Sequence, residues 1–336
     1  MLSIIIPVYN VEPYLQQCMS SVLACRLDDC EILLSLGQSS DRSNLISEEY
    51  EKHYGNIHTV RQRGTGLSDA RNSAMEFARG KYVLYIDSDD YVDSEVLDAV
   101  IERLRSPAFS ADVIVTDFRR LEWAAGQIVD VFQIGADTPE RRGIEHLPDM
   151  LRKRQYFWNV WRYVYRRGFL TEHEITFQNN MLTEDVGYTT DVLLAEPDIV
   201  FMHAPYYVYV AGRGGSLMDT PTLKRLTDTV WMLCDAIRRL KESTFSWAPA
   251  VIAQFQFEYL LNLALTVEIP LEDRKPALAL YQDWWAVLSG SADPLVRIMK
   301  IVLRICGLRA VALALHMLKI LRRRLRPRLR KRRENA

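Results

Sequence analysis

Cysteine is scarce in this chain. The five present, Cys18, Cys25, Cys30, Cys234 and Cys306, form no paired C-x-x-C spacing. That argues against a zinc framework, and an odd, scattered set is expected to stay as reduced thiols. A basic leader region is missing too. Strand-like Leu2-Ser-Ile-Ile-Ile-Pro7 follows Met1 directly, so no signal peptide is expected. No G-x-G-x-x-G loop follows that first apolar run, which excludes the dinucleotide fingerprint. A nucleotidyltransferase would want a cationic glycine loop there, and Val8-Tyr-Asn-Val-Glu12 offers none. Internal repeats are absent. Acidic residues are missing from 297–333, where 14 Lys and Arg occur. Taking these from the 42 basic and 43 acidic residues leaves the remainder with an excess of 15 acids. The net charge of −1 thus hides an acidic body and a basic end, which implies a separate electrostatic partner for that end.

What is present suffices for one large domain or two: 336 residues, 49% of them apolar. Leu2 to Val8 and Glu31 to Leu36 are apolar runs closed by polar or turn residues, and are expected as buried strands. Ile57 to Val60 is a shorter one. Between them, Leu15, Cys18, Met19, Val22 and Leu23 recur at helical spacing, and Asn44 to Tyr54 forms a polar helix. A helix opening at Gly64-Thr-Gly66 carries Leu67, Ala70, Ala74 and Phe77 on one face and is closed by Gly80. Strands alternating with helices predict an α/β fold with a mostly parallel sheet flanked by helices. Asp112 to Asp117 and Gln127 to Phe132 are further strands placed to pair. Ile199 to Met202 and Tyr206 to Val210 are strand-like, and the pattern is helical from Thr222 onward.

The chemistry concentrates after Tyr82 to Ile86. This apolar strand runs into Asp87, Ser88, Asp89 and Asp90. Burying unpaired carboxylates is costly, and hard divalent cations take such oxygens. Strand ends are also where open α/β sheets bind ligands. An acidic turn with Asp93 or Ser94 capping the next helix suits the same letters. Residues 64–72 place glycines, a helix N-terminus and Arg71 toward the same edge, where free N–H groups suit phosphate. A plain glycine turn explains them as well. Thr183-Glu184-Asp185 opens another helix: acids there favour the helix dipole, and a carboxylate could equally act as a general base. Trp158 and Trp161 suit a sugar platform or, more commonly, packing. Arg213, inside Gly212-Arg-Gly-Gly-Ser216, suits a diphosphate clamp or an exposed surface cation.

In their order along the chain these segments resemble glycosyltransferase family 2, the inverting enzymes with the GT-A (Rossmann-like) fold. Ser3-Ile-Ile-Ile-Pro-Val-Tyr-Asn10 is similar to its first strand. Gly66-Leu-Ser-Asp-Ala-Arg-Asn72 is similar to its G-x-S-x-A-R-N helix, and Tyr85-Ile-Asp-Ser-Asp-Asp90 to its D-x-D strand. Thr183-Glu-Asp185 matches its base motif, and Tyr206 to Ser216 its R-x-x-S strand and loop. The resemblance covers roughly residues 1–217. It implies transfer of a sugar from a nucleotide donor to a glycan hydroxyl. Asp185 would be the base, with Glu184 and Trp158 at the acceptor. Pro7, Tyr9, Asn10, Arg71, Asp87, Ser88 and Arg213 would serve the nucleotide sugar, and Asp89 a divalent cation, Mn²⁺ or Mg²⁺. One departure stands out. The family's V-D-D-G-S is here Ser35-Leu-Gly-Gln-Ser39, so Leu36 and Gly37 replace both acids. A UDP-sugar is one option, the base stays open, and Gln38 or Ser39 is left to face it. A catalytically silent nucleotide-binding scaffold is the alternative function.

The expected organisation is a GT-A domain over 1–217, with a nucleotide-sugar half to about 92 and an acceptor half from about 93. A helical region, 218–293, and a basic tail, 294–336, follow. In the tail Arg297, Lys300 and Arg304 share a helical stripe beside Ile298, Ile301, Val302 and Ile305. Its longest charge-free run, Ala310 to Leu318, is nine residues, well short of the roughly 20 that span a bilayer. An interfacial helix followed by a polybasic segment is expected to meet an anionic membrane through 294–333. Nucleic acid is not the expected partner, because the apolar half would have no use there. A basic helix docked on an acidic body is the competing structural account. The expected setting is cytoplasmic, on the inner face of the cell membrane, with a lipid-linked glycan acceptor.

Overall fold

The computed structural model describes residues 2–131, 134, 140–152, 158–213 and 221–334, with the backbone alone for 129–131 and 322–334. The chain divides into two compact units, Met1–Asp219 and Thr220–Ala336. The helical region and the basic tail, expected as separate parts, fall in one unit.

The first unit opens with β1 (Leu2–Val8), α1 (Glu12–Leu23), β2 (Cys30–Leu36), α2 (Ser43–His53), β3 (Ile57–Arg61), α3 (Leu67–Met75) and β4 (Tyr82–Tyr85). β5 (Tyr91–Val92), α4 (Ser94–Arg105), β6 (Val113–Glu122), β7 (Gln127–Val131), β8 (Glu140–Arg142) and α5 (Leu147–Arg152) follow. β9 (Tyr163–Arg166), α6 (Arg167–Glu172), α7 (Glu184–Leu194) and β10 (Ile199–Ala211) complete it. The ten strands form one sheet in the order β3-β2-β1-β4-β9-β6-β10-β5, with β7 beside β6 and β8 beside β10. β3, β2, β1 and β4 pair in parallel, as right-handed crossovers through intervening helices require. β9 is antiparallel to both β4 and β6. It joins this half to the parallel pair β6 and β10. The expected mixed α/β fold is therefore present.

Every residue of β1 is buried. Ile4 and Ile6, with Leu15, Cys18, Met19 and Val22 of α1, enter one continuous core. α4 is capped by Asp93, whose carboxylate accepts from Val96 N at 3.2 Å. Two local expectations fail. Phe77 lies beyond the end of α3 and is exposed. Gly80 does not close that helix; it lies against β1, where a Cβ would stand 2.5 Å from Ser3 N. Close backbone approach is what demands glycine there. Phe132, the expected end of β7, lies outside the described residues.

The second unit contains α8 (Leu223–Glu242), α9 (Ala248–Leu263), α10 (Arg274–Ala279), α11 (Trp284–Val287) and α12 (Pro294–Glu334). Thr222 caps α8 by accepting from Arg225 N. Leu226, Val230, Leu233, Ile237 and Leu240 are buried at three- and four-residue spacing, one apolar face of a helix. The segment Ala248–Val267 is long and apolar enough to cross a membrane, yet half of its most apolar window is buried within the protein. In α12, Val296, Leu303, Val311 and Ala312 face inward. Glu268 accepts from Lys319 Nζ at 2.6 Å, with His316 Nδ1 at 3.2 Å. Gly307 interrupts α12 with φ 75° and ψ 166°, a left-handed value suited to glycine.

Candidate active site

β4 delivers the acids. Its last pair to β1 is Ile5 with Tyr85, and Ile86 N still donates to Ile5 O. The chain then leaves the sheet, and Asp87, Ser88, Asp89 and Asp90 form the turn beyond it. Carboxylate oxygens of Asp87, Asp89 and Asp90 lie within 4.8 Å of one another. An all-oxygen set suits a hard divalent cation.

The three acids are not equivalent. Asp90 is buried and hydrogen bonded: Tyr207 Oη donates to Oδ2, and Val210 N donates to Oδ1, each at 2.7 Å. Burial, then the nearby Asp87, pushes its carboxyl well above the ordinary range. Asp87 and Asp89 are partly exposed and can face a ligand. Asp89 is paired with Arg213, whose Nη1 also donates to its carbonyl oxygen at 2.5 Å. The Arg213 guanidinium lies 5.2 Å from the Tyr14 ring centre. It is therefore not the exposed cation of a loose loop. Ser216, the other named residue of that loop, lies outside the described residues.

Arg71, expected near the nucleotide sugar, lies near the first turn of α3 with its side chain 1% exposed. Nη1 donates to Glu184 Oε1 at 2.8 Å and Asp185 Oδ1 at 3.0 Å, and Nη2 to Asp87 Oδ1 at 2.9 Å. Phe177 and Tyr85 stand 5.1 and 5.9 Å from the guanidinium. Burial alone works to lower the Arg71 pKa, and the three carboxylates outweigh it and raise it. Its Nε, also buried, has no hydrogen-bond partner among the described residues.

α7 brings the other two acids in its first turn. Asp185 Oδ2 accepts from Val160 N at 3.3 Å. Burial raises the carboxyl pKa values of both Glu184 and Asp185, and Arg71 holds each down in part. For Glu184 the Asp185 charge adds to the rise. α3 is itself tied to the loop that precedes α7: Asn72 Nδ2 donates to Phe177 O at 2.8 Å, and Phe177 N donates back to Asn72 Oδ1 at 2.9 Å.

The remaining predicted residues divide. Pro7 is buried in β1 opposite Ser35, so it shapes the strand end. Tyr9 is exposed, and Asn10 holds φ 50°. Asn10 Oδ1 accepts from Ser40 N at 2.8 Å, and Ser39 Oγ accepts from Asn10 N at 3.2 Å. The β1–α1 and β2–α2 turns are thus stitched together. Leu36 is core, and Gly37 is buried. A Cβ on Gly37 would stand 3.1 Å from Tyr9 Cδ2 and 3.2 Å from Val8 O. An acid there would require Tyr9 to shift. Gln38 is exposed. Trp161 is buried and stacks on Tyr207 at 4.2 Å, so it belongs to the core. Trp158 is half-buried, and its carbonyl accepts from Thr189 Oγ1 at 3.0 Å. Tyr207 was missed by sequence reasoning. Its hydroxyl links Asp90 to Asp87 N, and nothing in a strand-like tyrosine signals that.

Residues 3–167 match the family model described as glycosyl transferase family 2. This domain belongs to glycosyltransferase family 2. The chain is 29% identical over 216 residues to the uncharacterized glycosyltransferase EpsJ of Bacillus subtilis, covering 62% of this chain and 60% of that protein. It is 29% identical to the poly(ribitol-phosphate) beta-glucosyltransferase of Bacillus spizizenii, covering 65% of this chain and 33% of that one. The chain thus spans 60% of one of these curated relatives and 33% of the other, less than two thirds of either. Among solved structures, S. aureus TarS 1-349 in complex with UDP-GlcNAc superimposes with TM-score 0.71 at 18% identity, over 94% of this chain and 89% of that one. That likeness establishes the GT-A fold.

Proposed function

We propose that this family 2 chain is an inverting glycosyltransferase. It moves a sugar from a nucleotide-sugar donor to a hydroxyl of a glycan acceptor in surface polysaccharide assembly. The observation that carries this reading is the meeting of Asp87 and Asp185 on one buried guanidinium. Donor-side acid and candidate base thereby lie within one side chain's reach, as a single in-line displacement needs. The TarS complex with UDP-GlcNAc and the poly(ribitol-phosphate) relative support the donor class and the surface polymer.

Asp185 takes the proton of the acceptor hydroxyl as that oxygen attacks the anomeric carbon. Glu184 and Trp158 stand on the acceptor side. Tyr9 and Asn10 border the nucleoside, and Asp87 and Ser88 the ribose and sugar. Asp89 and Asp87 would hold a divalent cation, Mn²⁺ or Mg²⁺, which supplies charge to neutralise the departing diphosphate. Arg213 is the protein's own cation at that edge. Asp90 stays beneath as a support held by Tyr207 and Val210.

The basic segment 294–333 places the enzyme on an anionic membrane surface, the inner face of the cell membrane, and the acceptor is then lipid-linked. The testing experiment mixes the full chain with a panel of nucleotide sugars, Mn²⁺ and a lipid-linked glycan, and follows the glycosylated product. Thermal shift with the same panel identifies the preferred base, since a ligand of the native state raises the midpoint. Absence of both binding and transfer across the panel overturns the proposal.

A further inference from the structure

Along α12, before the break at Gly307, two opposite faces are apolar. Val296 and Leu303 point inward and are buried. Leu295, Ile298, Ile301 and Ile305 point outward, and Ile305 is 77% exposed. Their three- and four-residue spacing makes one continuous stripe. A helix with one buried and one exposed apolar face is not explained by packing within its own unit.

The exposed stripe is bordered by charge of one sign. Lys300 Nζ stands 3.9 Å from the Trp285 ring centre, and the Arg304 guanidinium 5.7 Å from it. Trp285 belongs to α11, outside the basic tail, and is half exposed. Lys241 lies beside the same cluster: it donates to Ala286 O at 3.0 Å, and the charge of Lys300 contributes to lowering its pKa after desolvation. Among the described residues, neither Lys300 nor Arg304 forms an ion pair. Their charges are therefore available to an outside partner.

We infer that α11 and the 294–306 half of α12 form a preformed docking face for an anionic phospholipid bilayer. Ile298, Ile301 and Ile305 enter the acyl boundary, Trp285 lies at head-group level, and Lys300 and Arg304 meet lipid phosphates. Charge complementarity selects this occupant, since apolar stripe, interfacial tryptophan and flanking cations are the parts of an interfacial anchor. The inference deepens the membrane part of the proposed function. It narrows the anchor from 294–333 to a folded surface held by Val296 and Leu303. The face exists before contact, so no helix has to form on the membrane.

Co-sedimentation of the full chain with vesicles of mixed phosphatidylglycerol and phosphatidylcholine tests this. The triple variant Ile298→Ser, Ile301→Ser, Ile305→Ser is expected to bind at least about tenfold more weakly, from the lost apolar insertion. Lys300→Glu with Arg304→Glu is expected to weaken binding by a similar factor, most strongly at low salt. The three isoleucines and Arg304 are exposed, Lys300 is half-buried over Trp285, and circular dichroism checks that each variant folds. Neutralising Arg322, Arg323 and Arg324 is expected to leave binding substantial. The inference is overturned if the triple variant binds like the unmodified chain, or if binding vanishes only when the polybasic end is neutralised. It is equally overturned if the unmodified chain is a dimer that the triple variant dissociates, since the stripe then covers a second copy. Vesicle binding does not depend on sugar transfer, and transfer to a soluble acceptor, measured separately, shows which of the two readings fails.

Discussion

Arg71 and Asp185 are 114 residues apart in sequence and are joined by a 3.0 Å hydrogen bond from Nη1 to Oδ1. The same guanidinium holds Glu184 and Asp87. One cation faces three carboxylates among aromatic rings, so the cluster is held by hydrogen bonds in a low-dielectric setting.

Removing that cation should be severe. Arg71→Met leaves acids buried without a counter-charge, and breaking such a cluster costs about 3–5 kcal/mol. Chemical denaturation should show the loss. Arg71→Lys keeps the charge but cannot reach three acceptors from one planar fork. It should fold, with reduced kcat. An Arg71→Met protein of unchanged stability would show that the acids take up protons instead.

Asp185→Asn tests the base. The amide keeps an oxygen acceptor but cannot take the acceptor proton. Transfer should fall by about 10²–10⁴, the range for general-base catalysis. Donor affinity, read by thermal shift, should change little. Equal losses in donor binding and transfer would place Asp185 on the donor side.

The proposed cation site rests on Asp89. After chelation of divalent ions, Mn²⁺ should restore transfer by the unmodified protein. Asp89→Ala should lose most activity, on the order of 10³-fold, since several kcal/mol of charge stabilisation go with the ion. Full activity in the presence of chelator would mean that Arg213 alone neutralises the diphosphate.

The pH dependence of stability follows from buried acids. The Asp90 carboxyl is raised by burial and by Asp87, and that of Glu184 by burial and by Asp185. A carboxyl whose folded pKa exceeds its unfolded one favours folding fully below the unfolded value, about 4. That contribution is lost as the pH rises through the folded value. The thermal midpoint should therefore decline from about pH 5 to pH 8. Asp90→Asn should flatten the decline, because Oδ1 can stay on Val210 N while Nδ2 turns to the Tyr207 hydroxyl. Parallel curves for the two proteins would assign the slope to other groups.

Strands were legible where an apolar run stopped at polar residues, as at Val8 and Leu36, because burial on both faces of a parallel sheet demands such runs. Asp87 and Asp89 were legible as acids clustered beyond the end of β4. Asp90 was not separable from them, since its burial comes from β10, which folds back over it with Tyr207 and Val210. Phe77 was misplaced because helical spacing continues past the point where α3 ends. Trp161 and Trp158 look alike in sequence, and it is the stack on Tyr207 that makes Trp161 core.

By itself the sequence determined the alternation of strands and helices, the acids after the fourth strand, and the basic, apolar-striped end. These are local properties, set by period, turn chemistry and charge. Only the tertiary structure decided that Arg71 joins three acids, that Arg213 sits on Asp89, and that Trp285 joins the outward face of α12. Each depends on separate elements of one unit meeting in space. Pairing and burial there change what a charged side chain can do, and no single segment encodes them.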